Sequence, residues 1–319
     1  MKAITRNSYG SPEVLKVKSL EKPLPTGSEI LIRVYATTVN RTDWGILTGK
    51  PFPIRFFSGL FKPSSPIPGT DFAGQIEAIG KNVKSFQVGD KVWGLNTSGL
   101  SSHAEYMTIA EDQAVTTIPE GLSYEEAVAC GEGAHYALNV INKVHIKEGN
   151  KVLVNGATGA IGSAALQILK HFNAYVTAVG NTQNIDLLKS LGADKTYDYL
   201  QEDFREDKEK YHFVFDAVGK SSFAECQHLL LPKGVYISSE LGPHAQNLYL
   251  PLITKFLGSK KVIFPIPRND KRSILFINSL LEKGEFRAVT DRKYSINKIK
   301  EAYKFVASGQ KTGNVIITF

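Results

Sequence analysis

A chain of 319 residues is long enough for two domains, and 42% hydrophobic with 22% charged residues is the composition of a globular protein, not a fibrous or disordered one. No stretch approaches the roughly 18 consecutive apolar residues that span a bilayer, and the opening MKAITRNSYG lacks the apolar run of a secretion signal, so a soluble, cytoplasmic protein is expected. Cys130 and Cys226 are too few for a disulfide framework, and the net charge of +7 comes from scattered Lys and Arg without the basic stripe of a nucleic-acid reader.

Residues 1–118 read as short alternating strands punctuated by Gly and Pro. Ser28–Ala36, Phe72–Ile79 and Lys91–Trp93 are strands, with Gly69, Gly80, Gly89 and Gly94 at tight turns, and together they predict a compact, barrel-like all-β module. Asp90, which follows Gly89, reads as a turn residue. Residues 51–66, PFPIRFFSGLFKPSSP, hold four Phe and four Pro. They read equally as an aromatic lid over a hydrophobic substrate and as a surface loop burying its own Phe, with a membrane-contacting loop as a third reading. Ser123, with Glu126 three residues later, makes a capping box that opens a helix, and the domain junction is placed here.

From about 120 to 285 strands alternate with helices, which implies a doubly wound parallel sheet in an α/β domain. Its centre is 151–182. Lys151–Val154 is a β-branched apolar run, Ile161, Ala164, Ala165, Ile168 and Leu169 recur at helical spacing, and Tyr175–Val179 closes a βαβ unit. Between strand and helix lies Gly156-Ala-Thr-Gly159-Ala-Ile-Gly162. Gly156 allows the positive φ of an immediate turn, Gly159 lets a pyrophosphate approach the backbone at the helix N-terminus, and Gly162 lets helix and strand pack closely. Glycines in this order inside a βαβ unit point to a dinucleotide site. Beyond it, 187–191 and 223–230 read as helices and 213–217, 234–238 and 262–266 as strands. The tail carries a helix near 296–308 and a strand, 314–318, expected to return to the first domain.

These residues carry a resemblance. The chain is similar to the zinc-independent branch of the medium-chain dehydrogenase/reductases, the NAD(P)H quinone oxidoreductase-like enzymes. The likeness rests on Val39-Asn40-x-x-Asp43-Trp44, Ile67-Pro-Gly-Thr-Asp71-Phe-Ala-Gly74, Phe86-x-Val88-Gly-Asp90-Lys-Val92, the glycine motif, Ser190-Leu-Gly-Ala-Asp194 and Gly309-Gln-Lys-Thr-Gly-Asn-Val315. It implies a GroES-like β-barrel domain for substrate, 1–118 plus 286–319, and a Rossmann domain, 119–285. Where the zinc-dependent relatives place Cys, His and Cys, this chain has Asn40, Thr70 and Cys130, one thiol where three ligands are needed. No metal is therefore expected, and Cys130 is read as a small buried apolar residue.

What the resemblance then implies is hydride transfer from NADPH, with NADH possible, to a quinone or an enone. Metal-free alcohol or aldehyde dehydrogenation, and an idle NADPH-binding regulator or RNA-binding protein, stand as alternatives. Asn40, Asp43, Thr70 and Tyr136 are the catalytic candidates by motif position. Glu132 and His135 occupy normally apolar places, and His135 reads either as a proton donor or as a hydrogen-bonded structural histidine. The expected cofactor contacts are Gly156, Thr158, Gly159, Ala160, Ile161, Asn181, Thr182, Tyr199, Val218, Gly219 and Asn314. None of Gly180-Asn181-Thr182-Gln183 is acidic, so nothing there repels a 2′-phosphate, although Gln183 stands where relatives often carry Arg. Lys261–Ile266 reads as an outermost apolar strand, and a homodimer paired across it is expected. No nucleic acid and no membrane insertion are expected.

Overall fold

In the computed structural model, which describes every residue except Ser98 and Asn269 and only the backbone of Leu257, the chain divides into two units. Gly133–Arg268 is one; Met1–Glu132 together with Asn269–Phe319 is the other.

Gly133–Arg268 is built on the parallel sheet that the alternating pattern implies. Its strands are Lys151–Asn155, Tyr175–Gly180, Lys195–Asp198, Tyr211–Asp216, Leu230–Ser238 and Lys261–Ile263, all parallel. Numbered in chain order they lie 3-2-1-4-5-6, the doubly wound arrangement whose order reverses beside the first strand. Leu153, Val214 and Tyr236 stand side by side in register and enter one core with Cys226 and Leu229. Helix Ala160–His171 buries Ala164, Ala165, Ile168 and Leu169, the stripe set by its 3.6-residue period, whereas Ile161 is half-buried. The helix expected over 223–230 is α-helical to Cys226, tightens to a 3-10 turn over Gln227–Leu229 and stops there, because Leu230 already pairs with Tyr211. The strand expected over 262–266 stops at Ile263, because Pro265 has no N–H for the ladder.

The other unit is organised on the long strand Glu29–Val39. Asp71–Ile79 pairs along one edge of it; on the other edge Tyr106–Ala110 takes the first half and Asn314–Thr318 the second, all antiparallel. Lys91–Leu95 and Val115–Thr117 extend this sheet beyond Asp71–Ile79, and Thr290–Ser295 lies parallel outside Asn314–Thr318. Ile30, Phe72, Val92, Ile109 and Val115, one from each of five strands, meet in a single core, so the sheet curls on itself in the expected barrel-like way. The tail returns here: helix Ile299–Ala307 packs Ile299, Ala302, Tyr303 and Val306 against Val315 and Ile317.

Two segments that the alternating pattern groups with the parallel sheet lie in this second unit. Helix Tyr124–Ala129 opens on the expected capping box, with Glu126 N donating to Ser123 Oγ at 3.2 Å and Ser123 N to Glu126 Oε2 at 2.9 Å. It packs on Glu29–Val39, where Tyr124 stacks on Tyr35 at 4.7 Å. Helix Asp270–Glu282 packs on Lys91–Leu95, and Trp93 Nε1 donates to Asn278 Oδ1 at 2.9 Å. Helical periodicity marks a helix but not the sheet it covers, so the division falls at Gly133 and after Arg268 instead of at 119 and 285.

Candidate active site

The turn after Asn155 shows why each glycine stands where it does. Gly156 has φ +78°, and a Cβ there would lie 2.7 Å from Val218 Cβ. A Cβ on Gly162 would lie 2.2 Å from Gly156 O, so Gly162 relieves the turn itself. Gly159 is different. It caps helix Ala160–His171 with φ −74°, and a Cβ there would meet only Gly156 O at an ordinary 3.7 Å. The protein's own packing does not require a glycine at 159; a ligand lying on the backbone would.

A buried acid missed by sequence reasoning builds the facing loop. Asp216 Oδ1 accepts from Val218 N (3.2 Å), Gly219 N (3.0 Å) and Asn155 Nδ2 (3.2 Å), and its Oδ2 from Ser221 N (3.2 Å) and Tyr236 Oη (3.1 Å). Five donors on one carboxylate fix Val218 and Gly219 against Gly156.

The end of the second strand holds another unforeseen acid. Asp198 pairs in register with Gly180, and its Oδ2 accepts from Thr182 Oγ1 at 2.5 Å and Gln201 Nε2 at 2.9 Å. Asn184 Nδ2 donates to Asn181 Oδ1 at 2.7 Å, and Tyr199, 57% exposed, donates its N–H to Gly180 O. Counting along 180–183 finds no carboxylate; the neighbouring strand supplies one and takes the Thr182 hydroxyl as a donor. Asn314 lies in the other unit, where its Nδ2 donates to Val289 O at 3.0 Å.

In that other unit three acids meet in the interior. Asn40 caps helix Arg41–Thr48, and its N–H donates to Asp43 Oδ2 at 2.8 Å. A chain of hydrogen bonds continues from Asn40 Nδ2 to Thr38 Oγ1 (3.1 Å) and from Thr38 Oγ1 to Asp71 Oδ2 (2.6 Å). Glu132 N donates to Asp71 Oδ1 (3.2 Å), and Thr70 Oγ1 to Glu132 Oε2 (3.3 Å). Asn40, Asp43, Thr70, Asp71 and Glu132 are each no more than 3% exposed. Burial, and then repulsion from Glu132, holds the Asp43 and Asp71 carboxyls well above the usual range, and burial raises Glu132 as well. The same loss of water pushes the Lys311 ammonium, which feels the charge of Glu132, down to about 8. Asn40 Oδ1 and Tyr303 Oη are buried polar atoms with no hydrogen-bond partner among the described residues. Three of the expected catalytic residues thus share one network. Tyr136 belongs to Gly133–Arg268, half-buried and edge-on to the His135 ring at 5.8 Å. His135 is buried, with Nδ1 3.2 Å from Asn139 Nδ2.

The acid cluster carries a pH signature. Unfolded, these acids ionise near pH 4; folded, they keep their protons to higher pH. The folded chain binds more protons in between, so this contribution is full below about pH 4 and is lost as pH rises through the folded-state values. Glu132→Gln removes one such group and is expected to lose less stability than the parent between about pH 5 and 7. Buried His103, lowered by burial to about 4, titrates in the opposite sense but is common to both proteins and cancels. Thermal melts across that range check this, and parallel curves would refute it.

Residues 26–138 match the family pattern described as Alcohol dehydrogenase GroES-like domain, and residues 191–317 that described as Zinc-binding dehydrogenase. The chain is 31% identical to a 2-methylene-furan-3-one reductase of Solanum lycopersicum, over 99% of this chain and 79% of that one. It is also 31% identical to the Chloroplast envelope quinone oxidoreductase homolog of Arabidopsis thaliana, over 99% and 98%. The solved quinone oxidoreductase from Coxiella burnetii superposes with a TM-score of 0.88 at 24% identity, over 100% of this chain and 99% of that one. This chain belongs to the medium-chain dehydrogenase/reductases. Membership in this superfamily of oxidoreductases implies a nicotinamide dinucleotide as cofactor, and the cradle at Gly159 fits one.

A zinc-dependent medium-chain dehydrogenase/reductase needs three ligands, and the donor set here does not fit. Asn40 and Thr70 are neutral and hydrogen-bonded. The Cys130 thiol, pushed up to about 12 by burial, donates to Glu126 O at 3.1 Å. Among the described residues no three His, Cys, Asp or Glu are grouped to hold a metal. The purified protein is expected to contain no stoichiometric zinc and to keep its activity in chelator; elemental analysis finding about one tightly held zinc per chain would overturn this. Elsewhere, Asp90 is the turn residue expected, its Oδ2 accepting from Gln87 N at 2.9 Å. In residues 51–66 all four Phe are exposed, so this segment does not bury its own aromatics.

Proposed function

We propose that this chain is an oxidoreductase that passes hydride from NADPH to a quinone or an activated alkene without a metal. The observation that carries the reading is the donor set Asn40, Thr70 and Cys130, which leaves no Lewis acid to ionise an alcohol, on a chain whose glycine turn fits a dinucleotide. The names of the relatives, a furanone reductase and a quinone oxidoreductase homolog, support the same class of acceptor.

The bound nicotinamide supplies the hydride, and electron-poor acceptors take it without metal activation. Gly156, Thr158, Gly159, Ala160, Ile161, Val218 and Gly219 are assigned to the pyrophosphate and nicotinamide end, Asn181, Thr182 and Tyr199 to the adenosine end, and Asn314 to the cofactor. Asn40, Asp43, Thr70 and Tyr136 are assigned to the acceptor. Hydride addition to an enone leaves an enolate that needs one proton. The Thr70 hydroxyl, bonded to a Glu132 carboxyl that burial keeps toward its neutral form, holds a proton at Oγ1–Oε2.

Steady-state rates over quinones, enones and aldehydes with both cofactors test the reading. NADPH binding with no turnover on any acceptor, or turnover confined to alcohols and aldehydes, would sink it. The compartment assigned is the cytoplasm, where Cys130 and Cys226 stay reduced, both being buried free thiols; no helix among the described residues is long and apolar enough to cross a membrane.

The assigned assembly is a homodimer. Among the described residues Lys261–Ile263 is the outer strand of its sheet, paired only with Leu230–Ser238, and the helix Gln246–Leu257 that packs on it exposes Leu252 and Phe256. Light scattering is expected to give twice the chain mass at micromolar concentration; a monomer mass would refute the pairing.

A further inference from the structure

The segment Lys50–Lys62 is built inside out. Tyr9 Oη lies 2.8 Å from Ser58 Oγ and donates to Gly59 O, and Ser64 N donates to Ser58 O at 2.8 Å. Arg55 sits over the Tyr9 ring at 4.6 Å and donates from Nε to Gly49 O at 3.2 Å. Gly59, at φ +109°, makes the return; a Cβ there would lie 2.1 Å from Lys62 O. The polar and small side chains thus hold the backbone, and the aromatics point outward. Phe56, Phe57 and Phe61 are 67%, 87% and 91% exposed, and Phe52 and Leu60 are exposed beside them. At about 200 Å² for a Phe side chain, the four rings present on the order of 600 Å² of apolar surface, at the top of the range for the largest patch on a soluble monomer, where such patches are often functional.

Charge selects the occupant. Between Asp43 and Asp71 the chain carries no Asp or Glu, while Lys50, Arg55 and Lys62 fall inside the segment, and Lys50 and Lys62 are exposed. A second copy meeting the same patch across a two-fold axis would set these cations against themselves. A small acceptor is too small to cover four rings. Aromatic side chains flanked by Lys suit the boundary between anionic headgroups and acyl chains. We propose that Lys50–Lys62 docks this protein on an anionic lipid surface, with Phe56, Phe57 and Phe61 entering the headgroup–acyl boundary and Lys50 and Lys62 meeting lipid charge. This assignment does not depend on the acceptor reduced.

Vesicle flotation of the full-length chain tests it. With phosphatidylcholine vesicles holding about a quarter phosphatidylserine, the parent is expected to float, and to float roughly tenfold less on phosphatidylcholine alone or in high salt. Phe57→Ser with Phe61→Ser, and separately Lys50→Glu with Lys62→Glu, should each reduce binding by roughly tenfold or more. These side chains are exposed, so the thermal midpoints should stay at the parent value, which separates lost docking from lost folding. Three results would overturn the proposal: a parent that does not float, a Phe double variant that floats like the parent, and a Phe double variant whose only changes are a halved mass in light scattering or a raised KM for substrate.

Discussion

Gly159→Ala is expected to leave the stability of the chain within about 0.5 kcal/mol of the parent while weakening dinucleotide binding at least roughly tenfold, or about 1.4 kcal/mol. Gly162→Ala, three residues on, is expected to damage both. The contrast follows from what a Cβ meets. At 159 it finds ordinary contact, 3.7 Å from Gly156 O, and a φ of −74° that alanine adopts freely, so only the ligand's approach is blocked. At 162 it lies 2.2 Å from Gly156 O and 2.8 Å from Ala157 Cα, both backbone, so the turn itself must shift. Overpacking of that kind costs about 1–3 kcal/mol, and the displaced turn is the one assigned to the pyrophosphate. Thermal melts and NADPH titrations by fluorescence on both variants check this. Parental affinity in Gly159→Ala would remove the pyrophosphate from this turn, whatever Gly162→Ala does.

Asn181→Asp is expected to reverse the cofactor preference, from a moderate choice of NADPH to a choice of NADH, moving the ratio of kcat/KM values by roughly ten- to a hundredfold. The parent ratio should be moderate for two reasons. Gln183 provides no guanidinium for a phosphate, and Asp198, with the Thr182 hydroxyl donating to it at 2.5 Å, already sets one carboxylate near the end of the second strand. A second carboxylate at 181, at the same strand end, would meet a 2′-phosphate as a like charge but accept from a 2′-hydroxyl. Comparing kcat/KM for both cofactors in both proteins decides it. A parent that prefers NADH, or a ratio unchanged by the substitution, would show that the 2′-phosphate does not lie here.

Much of this site was legible because its signals are local. Gly156 to Gly162 sit between a β-branched run and a helical stripe, and the capping box of Ser123 and Glu126 spans three residues. Each is decided by neighbours in sequence. The two acids that shape the nucleotide region were not legible in the same way. Asp216 arrives beside Asn155 and Asp198 beside Gly180 through the register of parallel strands, and register between separated strands leaves no mark along the chain. The cluster of Asp43, Asp71 and Glu132 is assembled across long separations too, which is why Glu132 could be recognised as out of place but not understood. The helix Tyr124–Ala129 was visible from its capping box, whereas Asp270–Glu282 was only grouped with the alternating region and not read as a helix, and Tyr35 and Trp93, which hold the two, belong to the other sheet.

The order in which the pieces become available during synthesis leaves one strand edge waiting for the end of the chain. Strand Glu29–Val39 emerges early, but along one edge its second half, Ala36 to Val39, pairs among the described residues only with Asn314–Thr318, the final strand. Gly133–Arg268 lies between them in sequence and can close on local strand pairings while this edge is still bare. A nascent chain therefore carries an open hydrogen-bonding edge through most of its elongation, and an unpaired edge is a hazard for misassembly. Thr38 and Asn40, which begin the acid network, sit at that edge. Gly133–Arg268 can fold first, and the strand that begins the acid network is completed last, by the end of the chain.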